Sequence, residues 1–238
     1  MSNEYIATNL AAVREEIAAA EKEAGRTGKT VMLAAVKYAE PGELAAMLEA
    51  GVTEVGENRV QQLLANAALY EAKGTRVHLI GSLQTNKVKY IIDKVDMIHS
   101  LDSLHLAQEI EKRAAQKERV IDVLIEINSG REAAKSGVLP EQAEALCRAV
   151  LTLPHLHLCG FMTMGPHCES EAEYRAYFAE TSALGRALWQ ALSLPGKPLF
   201  SMGMSESFAA AIKEGADFIR VGRRLFAGRP EPKNNTVQ

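Results

Sequence analysis

A repeated alternation of short apolar runs and longer helix-like segments constrains the fold of this 238-residue chain more than any other feature of its sequence. Continuous apolar strands separated by helices predict a parallel sheet that is buried on both faces. Eight such units in a chain of roughly 250 residues predict an α/β fold of the (β/α)8 TIM-barrel type. A doubly wound open sheet would instead show a glycine-rich turn after its first strand, whereas the turn here is KYAEPGE. The eight apolar runs are VMLAAVKY, TEVGEN, RVHLIGSL, DMIHSLDS, RVIDVLIEIN, LHLCGFMTM, PLFSMGM and DFIRVG.

The start of the chain predicts an extra helix ahead of the barrel. Ile6, Leu10, Val13 and Ile17 recur at helical spacing within an acidic, amphipathic stretch, which is not the pattern of a signal peptide. No linker rich in proline, glycine or serine interrupts the chain after this stretch. We therefore expect a single domain over residues 1–230 and a flexible tail over residues 231–238.

Charge and cysteine content exclude several classes of partner. The chain has 27 Lys and Arg against 30 Asp and Glu, a net charge of -3, so it lacks the basic surface that nucleic acid or an anionic membrane would require. Its apolar runs stay below the roughly 18 residues that a membrane-spanning helix needs. Three cysteines form no disulfide framework, which favours a reduced, cytoplasmic setting.

Lys37 is the first candidate for chemistry, because active sites of such barrels lie at the C-terminal ends of the strands. It follows the apolar run VMLAAV, so we expect a surrounding of low dielectric that lowers the pKa of the amine. A neutral amine is what a Schiff-base nucleophile requires. The alternative is a lysine at the rim that extends to solvent and pairs with a carboxylate such as Glu57.

The ends of the seventh and eighth strands predict a phosphate site, since barrels often hold a phosphate between the loops after these strands. The segment SMGMSES, residues 201–207, offers hydroxyls and a glycine before a helix, with Ser205 as the expected N-cap. In RVGRR, residues 220–224, Gly222 allows a close approach of the backbone, with arginines on either side. The alternatives are ordinary helix capping and a solvated basic turn.

The motifs together carry a resemblance that covers residues 31–228. The segments are AAVKY, GENRVQQ, HLIGSLQTNK, NSGREAAKSGV, GFMTM and SMGMSESFAAAIKEGADFIRVGRRLF, in this order. They resemble the pyridoxal phosphate homeostasis protein family, which belongs to the superfamily of the alanine racemase N-terminal barrel. The resemblance implies a TIM barrel that binds pyridoxal 5'-phosphate (PLP) and takes part in intracellular vitamin B6 balance.

The resemblance also implies a role for individual residues. Lys37 would hold PLP as a Schiff base, Asn58 would lie beside the cofactor ring, and Arg220 would face the pyridine nitrogen. His78 and the stretch 81–86 belong to a family motif near the pocket without assigned duties. The phosphate would be surrounded, largely through hydroxyl and backbone contacts, by Ser201, Met202, Ser205, Gly222 and Arg223.

Two positions depart from the pattern of the family. Arg223 stands where a threonine is usual, so a hydroxyl contact to the phosphate would be lost, while the backbone N–H remains and the guanidinium can substitute for the hydroxyl. Ala227 displaces the usual glycine of the last turn by one residue. These differences bear on the phosphate contacts and leave the lysine untouched.

The resemblance favours a PLP carrier or buffer over an enzyme. An arginine at the pyridine nitrogen weakens the electron sink that PLP enzymes use. Similar alanine racemases also use a tyrosine as second base and a C-terminal β-domain, and we expect neither here. The alternative is an amino-acid racemase of the alanine racemase type. We expect a monomer, with PLP-dependent apo-enzymes as further partners, and no metal, since His155 and His157 alone do not make a zinc site.

Overall fold

Eight parallel strands close into a barrel in which strands that follow one another in the sequence are paired and the last strand pairs with the first. The computed structural model describes residues 3–132 and 134–230. The predicted (β/α)8 barrel is confirmed, while the tail predicted over residues 231–238 lies outside the described residues. The strands are β1 (Val31–Ala35), β2 (Glu54–Glu57), β3 (Arg76–Leu79), β4 (Met97–Leu101), β5 (Ile121–Ile127), β6 (Leu156–Thr163), β7 (Leu199–Met204) and β8 (Phe218–Val221).

Helices follow the first seven strands and begin at recognisable local sequences. Ser103 and Ser170 accept hydrogen bonds from the backbone N–H groups of Leu106 and Glu173 and so cap two helices, and Pro140 opens a third. In the described part of the chain, no helix has the length and apolarity that crossing a membrane would take. The helices are α1 (Glu4–Glu23), α2 (Pro41–Glu49), α3 (Val60–Lys73), α4 (Thr85–Ile91), α5 (Leu104–Gln116), α6 (Pro140–Val150), α7 (Glu171–Ala191) and α8 (Phe208–Lys213).

The N-terminal helix α1 completes the outer ring. After β8 the described part of the chain, which ends at residue 230, forms a short 3-10 turn, Arg223–Phe226, and no helix that would cover the eighth side of the barrel. Helix α1 contacts α8, this turn and α2, and buries the apolar stripe predicted from its periodicity. Asn9 Nδ2 donates hydrogen bonds to the carbonyls of Leu225 and Ala227, at 3.2 and 2.8 Å. The extra helix is therefore an integral wall of the barrel.

Side chains along each strand alternate between two layers. In β5, Val123 and Ile125 pack outward against the helices, whereas Leu124 points into the barrel. The barrel interior also holds buried polar side chains, among them His78 and His99. The apolar residues of the interior are Leu33, Ala35, Ile80, Met97, Leu124, Cys159, Met162 and Phe218.

Candidate functional site

A cavity of about 530 Å³ lies at the C-terminal ends of the strands, the end at which barrels carry their active sites. This volume falls within the roughly 300–1,000 Å³ of small-molecule sites. Six of the eight site residues expected from the sequence line it, namely Lys37, Asn58, Ser205, Arg220, Gly222 and Arg223. Ser82 and Met204, from the segments 81–86 and 201–207, also line it. Sequence analysis did not single out other lining residues, among them Arg59, Ile80, Glu126, Lys135, Ser136 and Met164.

Lys37 lies in the turn directly after β1. Val36 is still buried, but the side chain of Lys37 is exposed, and its Nζ lies 4.7 Å from the centre of the Tyr38 ring. The expected surrounding of low dielectric is therefore wrong, because the turn carries the side chain from the strand to the mouth of the barrel. The alternative pairing with Glu57 is also wrong, since that carboxylate is buried and accepts a 2.6 Å hydrogen bond from Tyr70 Oη.

Arg220 is a buried cation at the base of the cavity. Its Nη1 donates to the hydroxyl and the carbonyl of Ser201, at 2.8 and 2.9 Å, and its Nη2 donates to the carbonyl of Thr163 at 2.8 Å. Burial lowers the pKa of the guanidinium to about 10, and the carboxyl of Glu126 opposes that shift. The side chain therefore stays charged at neutral pH and has little freedom to move. The alternative interpretation of segment 220–224 as a solvated basic turn is therefore wrong for Arg220.

A chain of hydrogen bonds connects Arg220 with the opposite end of the barrel. Ser201 Oγ lies 2.9 Å from His99 Nδ1, His99 Nε2 lies 2.9 Å from His78 Nδ1, and His78 Nε2 lies 2.8 Å from a carboxylate oxygen of Glu54. Burial lowers the pKa of His99 well below its usual value, so its ring is neutral. The hydrogen bond from His78 lowers the pKa of Glu54, which keeps that carboxylate ionised.

The two groups at the ends of this hydrogen-bond network, Arg220 and Glu54, determine the direction of every hydrogen bond in it. Arg220 can only donate, so Ser201 Oγ accepts from it and, among the described residues, has only His99 Nδ1 to receive its own proton. His99 then donates through Nε2 to His78, which donates through Nε2 to Glu54. Each imidazole thus carries its proton on Nε2. Every side chain of the network is hydrogen-bonded, and the network holds Arg220 in place from the side of the barrel interior.

Ser201 and Met202 do not line the cavity. The hydroxyl of Ser201 is fully buried and engaged by Arg220 and His99. Met202 belongs to the outer apolar layer, where its Sδ lies 4.0 Å from the hydroxyl of Ser182 on α7. Strand β7 directs one side chain into the barrel core and the other toward the helices, so only the backbone of these two residues is left for the expected contacts with a phosphate.

The loops after β7 and β8 meet at Ser205 and Gly222. The N–H of Gly222 donates to Ser205 Oγ at 3.3 Å, and α8 is preceded by Ser207, so Ser205 is not the N-cap. A Cβ on Gly222 would lie 3.2 Å from the carbonyl oxygen of Ala35, so a side chain there would crowd β1. Arg223 is largely exposed and forms a 2.8 Å ion pair with Glu206.

Asn58 lines the cavity and carries an acceptor oxygen that is not used within the described part of the protein. Its Oδ1 is buried and, among the described residues, has no hydrogen-bond partner. Gly81, after β3, lies so close that a Cβ on it would be 2.3 Å from the backbone oxygen of Asn58. This contact accounts for the glycine of the HLIGSLQTNK motif, and the orphaned oxygen marks a position for a ligand group that donates a hydrogen bond.

The family assignment follows from comparison with known proteins. The family model for the alanine racemase N-terminal domain matches residues 8–230. The pyridoxal phosphate homeostasis protein of Aquifex aeolicus is 41% identical over 221 residues, which cover 92% of this chain and 96% of that protein. The chain belongs to the pyridoxal phosphate homeostasis protein family.

Two solved structures, PipY and an alanine racemase, have the same barrel as this chain. PipY of Synechococcus elongatus PCC7942, solved with PLP bound, is 30% identical, with a TM-score of 0.80 over 93% of this chain and 99% of that one. Alanine racemase of Clostridium difficile 630 is 18% identical, with a TM-score of 0.71, and this chain spans 57% of its length. The second likeness shows the fold alone.

Cationic side chains dominate the cavity of this pyridoxal phosphate homeostasis family member. Such a lining attracts a polyanionic ligand, and a phosphate group is the anion most often bound at this end of a barrel. Among the described lining residues, the one carboxyl group belongs to Glu126. The cationic residues are Lys37, Arg59, Lys135, Arg220 and Arg223.

Glu126 is the most notable residue that sequence analysis missed. It lies on the inner face of β5 and is 5% exposed, and burial together with the carboxylate of Asp102 raises its pKa to about 7, against the opposing charge of Arg220. A charged residue inside the apolar run RVIDVLIEIN was the sign that would have found it. The same reasoning singled out Lys37.

Proposed function

We propose that this chain binds PLP in the cavity at the C-terminal end of the barrel, that Lys37 Nζ holds it as a Schiff base, and that the protein acts as a carrier or buffer of PLP. One observation carries the proposal: a primary amine stands at the mouth of a cationic cavity whose base is a fixed arginine. The names of the related homeostasis proteins and PLP bound to PipY support it.

The residues of the cavity fit PLP chemically. The phosphate would be held by Ser205, by the backbone N–H groups around Gly222 and by Arg223, whose pairing with Glu206 leaves it at the rim. The orphaned Oδ1 of Asn58 is an acceptor for a hydroxyl of the ring. When bound, PLP supplies an aldehyde that reacts with amines and a ring that withdraws electrons.

Arg220 and Lys37 favour a carrier over an efficient enzyme. Arg220 can donate a hydrogen bond to the pyridine nitrogen but cannot supply the acidic proton that strengthens the electron sink. Lys37 is exposed, so its attachment point is accessible to solvent and to amines that would displace the cofactor. A site that holds PLP without shielding it suits storage and transfer.

The absorption spectrum in the near-visible region, before and after borohydride reduction, tests the proposal. We expect a yellow parent protein that borohydride fixes at Lys37, identified by mass spectrometry of its peptides, and a colourless Lys37→Ala variant. Lys135→Ala is the matched control, because this second lysine lines the same cavity. A parent that stays colourless after addition of PLP, or a label fixed elsewhere, would overturn the assignment.

Glu126 favours a second candidate function, PLP-dependent racemisation of an amino acid. A carboxyl group with a pKa of about 7 can accept and return a proton at neutral pH. To test this activity, amino acids are added to the protein in heavy water, and the replacement of their α-hydrogen by deuterium is measured. Exchange that is fast in the parent, accompanied by inversion at the α-carbon and lost in Glu126→Gln, would establish the racemase, whereas absence of exchange leaves the carrier. Delivery to apo-enzymes, the monomeric state and the cytoplasmic location stay predictions.

A further inference from the structure

Three donor atoms of different chemistry converge at the end of the barrel opposite to the PLP cavity. They are Oδ1 of Asp122 on β5 and Nδ1 of His157 and Sγ of Cys159 on β6, and all lie within 4.8 Å of one another. His157 Nδ1 is 2.8 Å from Asp122 Oδ1 and 3.4 Å from Cys159 Sγ. The proposed function uses none of these residues.

The fold brings the three side chains to one inner face. Asp122 and His157 are register partners on neighbouring parallel strands, near the start of each strand. Side chains two residues apart share a face, and Cys159 belongs to the apolar layer inside the barrel. The group therefore lines the N-terminal mouth of the barrel, where the side chain of His157 is 66% exposed and that of Asp122 is 36% exposed.

The convergence distinguishes a metal site from a nucleophilic relay. A relay of cysteine, histidine and carboxylate uses both ring nitrogens, one to take the thiol proton and the other to be held by the carboxylate. Here the thiol and the carboxylate both approach the same nitrogen, Nδ1 of His157. Donors that meet at one point, with a nitrogen, an oxygen and a sulfur among them, suit a borderline cation such as Zn²⁺.

We propose that Asp122, His157 and Cys159 bind a Zn²⁺ ion with a fourth position open to water. Zinc bonds of about 2.0–2.3 Å place tetrahedral donors roughly 3.3–3.6 Å apart. The distance of 3.4 Å between His157 Nδ1 and Cys159 Sγ already fits. The carboxylate must withdraw by about half an ångström to reach that spacing, which its exposed position allows. On binding, the thiol releases its proton to water, and the thiolate and carboxylate neutralise the two charges of the ion.

His155 provides the contrast to these ligands. Its Nδ1 lies 2.8 Å from a carboxylate oxygen of Glu111 on α5, so this histidine has a partner outside the group. The two histidines of the HLH sequence therefore have different neighbours despite their spacing. A variant of His155 is the matched control for a variant of His157.

Titration of the full-length protein with Co²⁺, a coloured substitute for Zn²⁺, tests the site. We expect one equivalent to bind with a sulfur-to-cobalt charge-transfer band in the near ultraviolet, and Zn²⁺ to displace it. Cys159→Ser should abolish the band, and His157→Gln and Asp122→Asn should raise the Kd by roughly tenfold or more. His155→Gln and Cys168→Ser should leave band and Kd unchanged.

Two results would overturn the site. One is a parent protein that binds Co²⁺ without a thiolate band. The other is a band that survives Cys159→Ser and disappears in Cys168→Ser or Cys147→Ser. Should Cys159→Ser unfold, the exposed His157→Gln variant still decides the question through its Kd. Lys37→Ala should keep the cobalt band, so the experiment tests the metal site independently of the proposal that the protein binds PLP.

Discussion

His99 links the barrel core to the cofactor cavity through a single side chain. It accepts from Ser201 and donates to His78, and both partners are fully buried. His99→Phe should lower the free energy of unfolding by about 1–3 kcal/mol, because the hydroxyl proton of Ser201 and the Nδ1 of His78 each lose their hydrogen-bond partner in the core. Urea denaturation measures this change. The exposed His105→Phe is the control and should stay within about 0.5 kcal/mol of the parent.

The same substitution should loosen Arg220, because Ser201 is then held by the arginine alone. We expect weaker retention of PLP in His99→Phe, measured by dialysis, while His99→Gln recovers part of it by keeping one hydrogen bond. Nitrogen NMR of the parent should find the proton of both buried rings on Nε2. Equal retention in all three proteins would show that the network supports the core without orienting Arg220.

Glu126 makes stability depend on pH. Its pKa is raised from 4.5 to about 7 in the folded state. Between these two pH values the carboxyl group is protonated in the folded protein and ionised in the unfolded chain. The contribution to stability is fully present below pH 4.5 and is lost as pH rises through about 7, by on the order of 3 kcal/mol.

Glu126→Gln should remove this dependence, since the amide does not titrate. The variant should therefore gain stability over the parent as pH rises from 5 to 8, as measured by urea denaturation at both pH values. A stability gap between the two proteins that is the same at pH 5 and pH 8 would contradict the raised pKa. Glu144→Gln, on the outer face of α6, controls for the loss of a surface charge.

At the scale of strands and helices, periodicity located every unit of the barrel. Buried parallel strands need continuous apolar runs, and such runs are readable without tertiary information. Ends of elements were harder to predict: the apolar run of β1 includes Lys37, but the strand stops at Ala35 and the turn exposes the lysine. Likewise Ser207, and not Ser205, precedes α8. A cap depends on where the backbone turns, which one sequence does not determine.

Irregular pairing explains why the sequence alone did not predict which side chains of β7 face the cavity. The register between β7 and β8 shifts between Ser201 and Met204, which changes the side chains that face the cavity. Lys37, Asn58 and Gly222 were placed correctly at the cavity because each directly follows a strand, where the direction of the chain alone carries it to the mouth. Pairings such as that of Ser201 with His99, 102 residues apart, need the closed barrel.

Gly160 lies in β6 against Leu199 of β7, at a distance that leaves no room for a Cβ. A Cβ at this position would lie 2.0 Å from the carbonyl oxygen of Leu199 and 2.5 Å from its nitrogen, so β6 and β7 would have to separate. Gly160→Ala should cost about 3 kcal/mol or more, measured by chemical denaturation. Gly42→Ala, in the first turn of α2, meets only an exposed side-chain nitrogen at 3.5 Å and should be neutral or slightly stabilising. Equal effects would show that the strands adjust.

For the molecule as a whole, we expect α1 to couple the two ends of the barrel so that they unfold in one transition. The helix contacts α2 near one end of the chain and α8 near the other, and its Glu16 pairs with Arg224. Leu10→Ala should therefore lower the stability of the entire barrel, by about 2–5 kcal/mol, in a single transition. Fluorescence and circular dichroism should report the same midpoint. Glu15→Ala, exposed on α1, is the control, and two separate transitions would show that α1 detaches on its own.

The position of α1 has a consequence during synthesis on the ribosome. Asn9 and its partner Leu225 are 216 residues apart, so the first helix to leave the ribosome waits for the last strand before it finds its place. At about 5–20 residues per second this delay is roughly 10–40 s. Throughout that time α2 is the one neighbour of α1 that has already been made, and the part of the stripe of Ile6, Leu10, Val13 and Ile17 that packs on α8 and the last turn stays uncovered. A nascent chain with such a helix is a natural client for chaperones that bind exposed apolar segments.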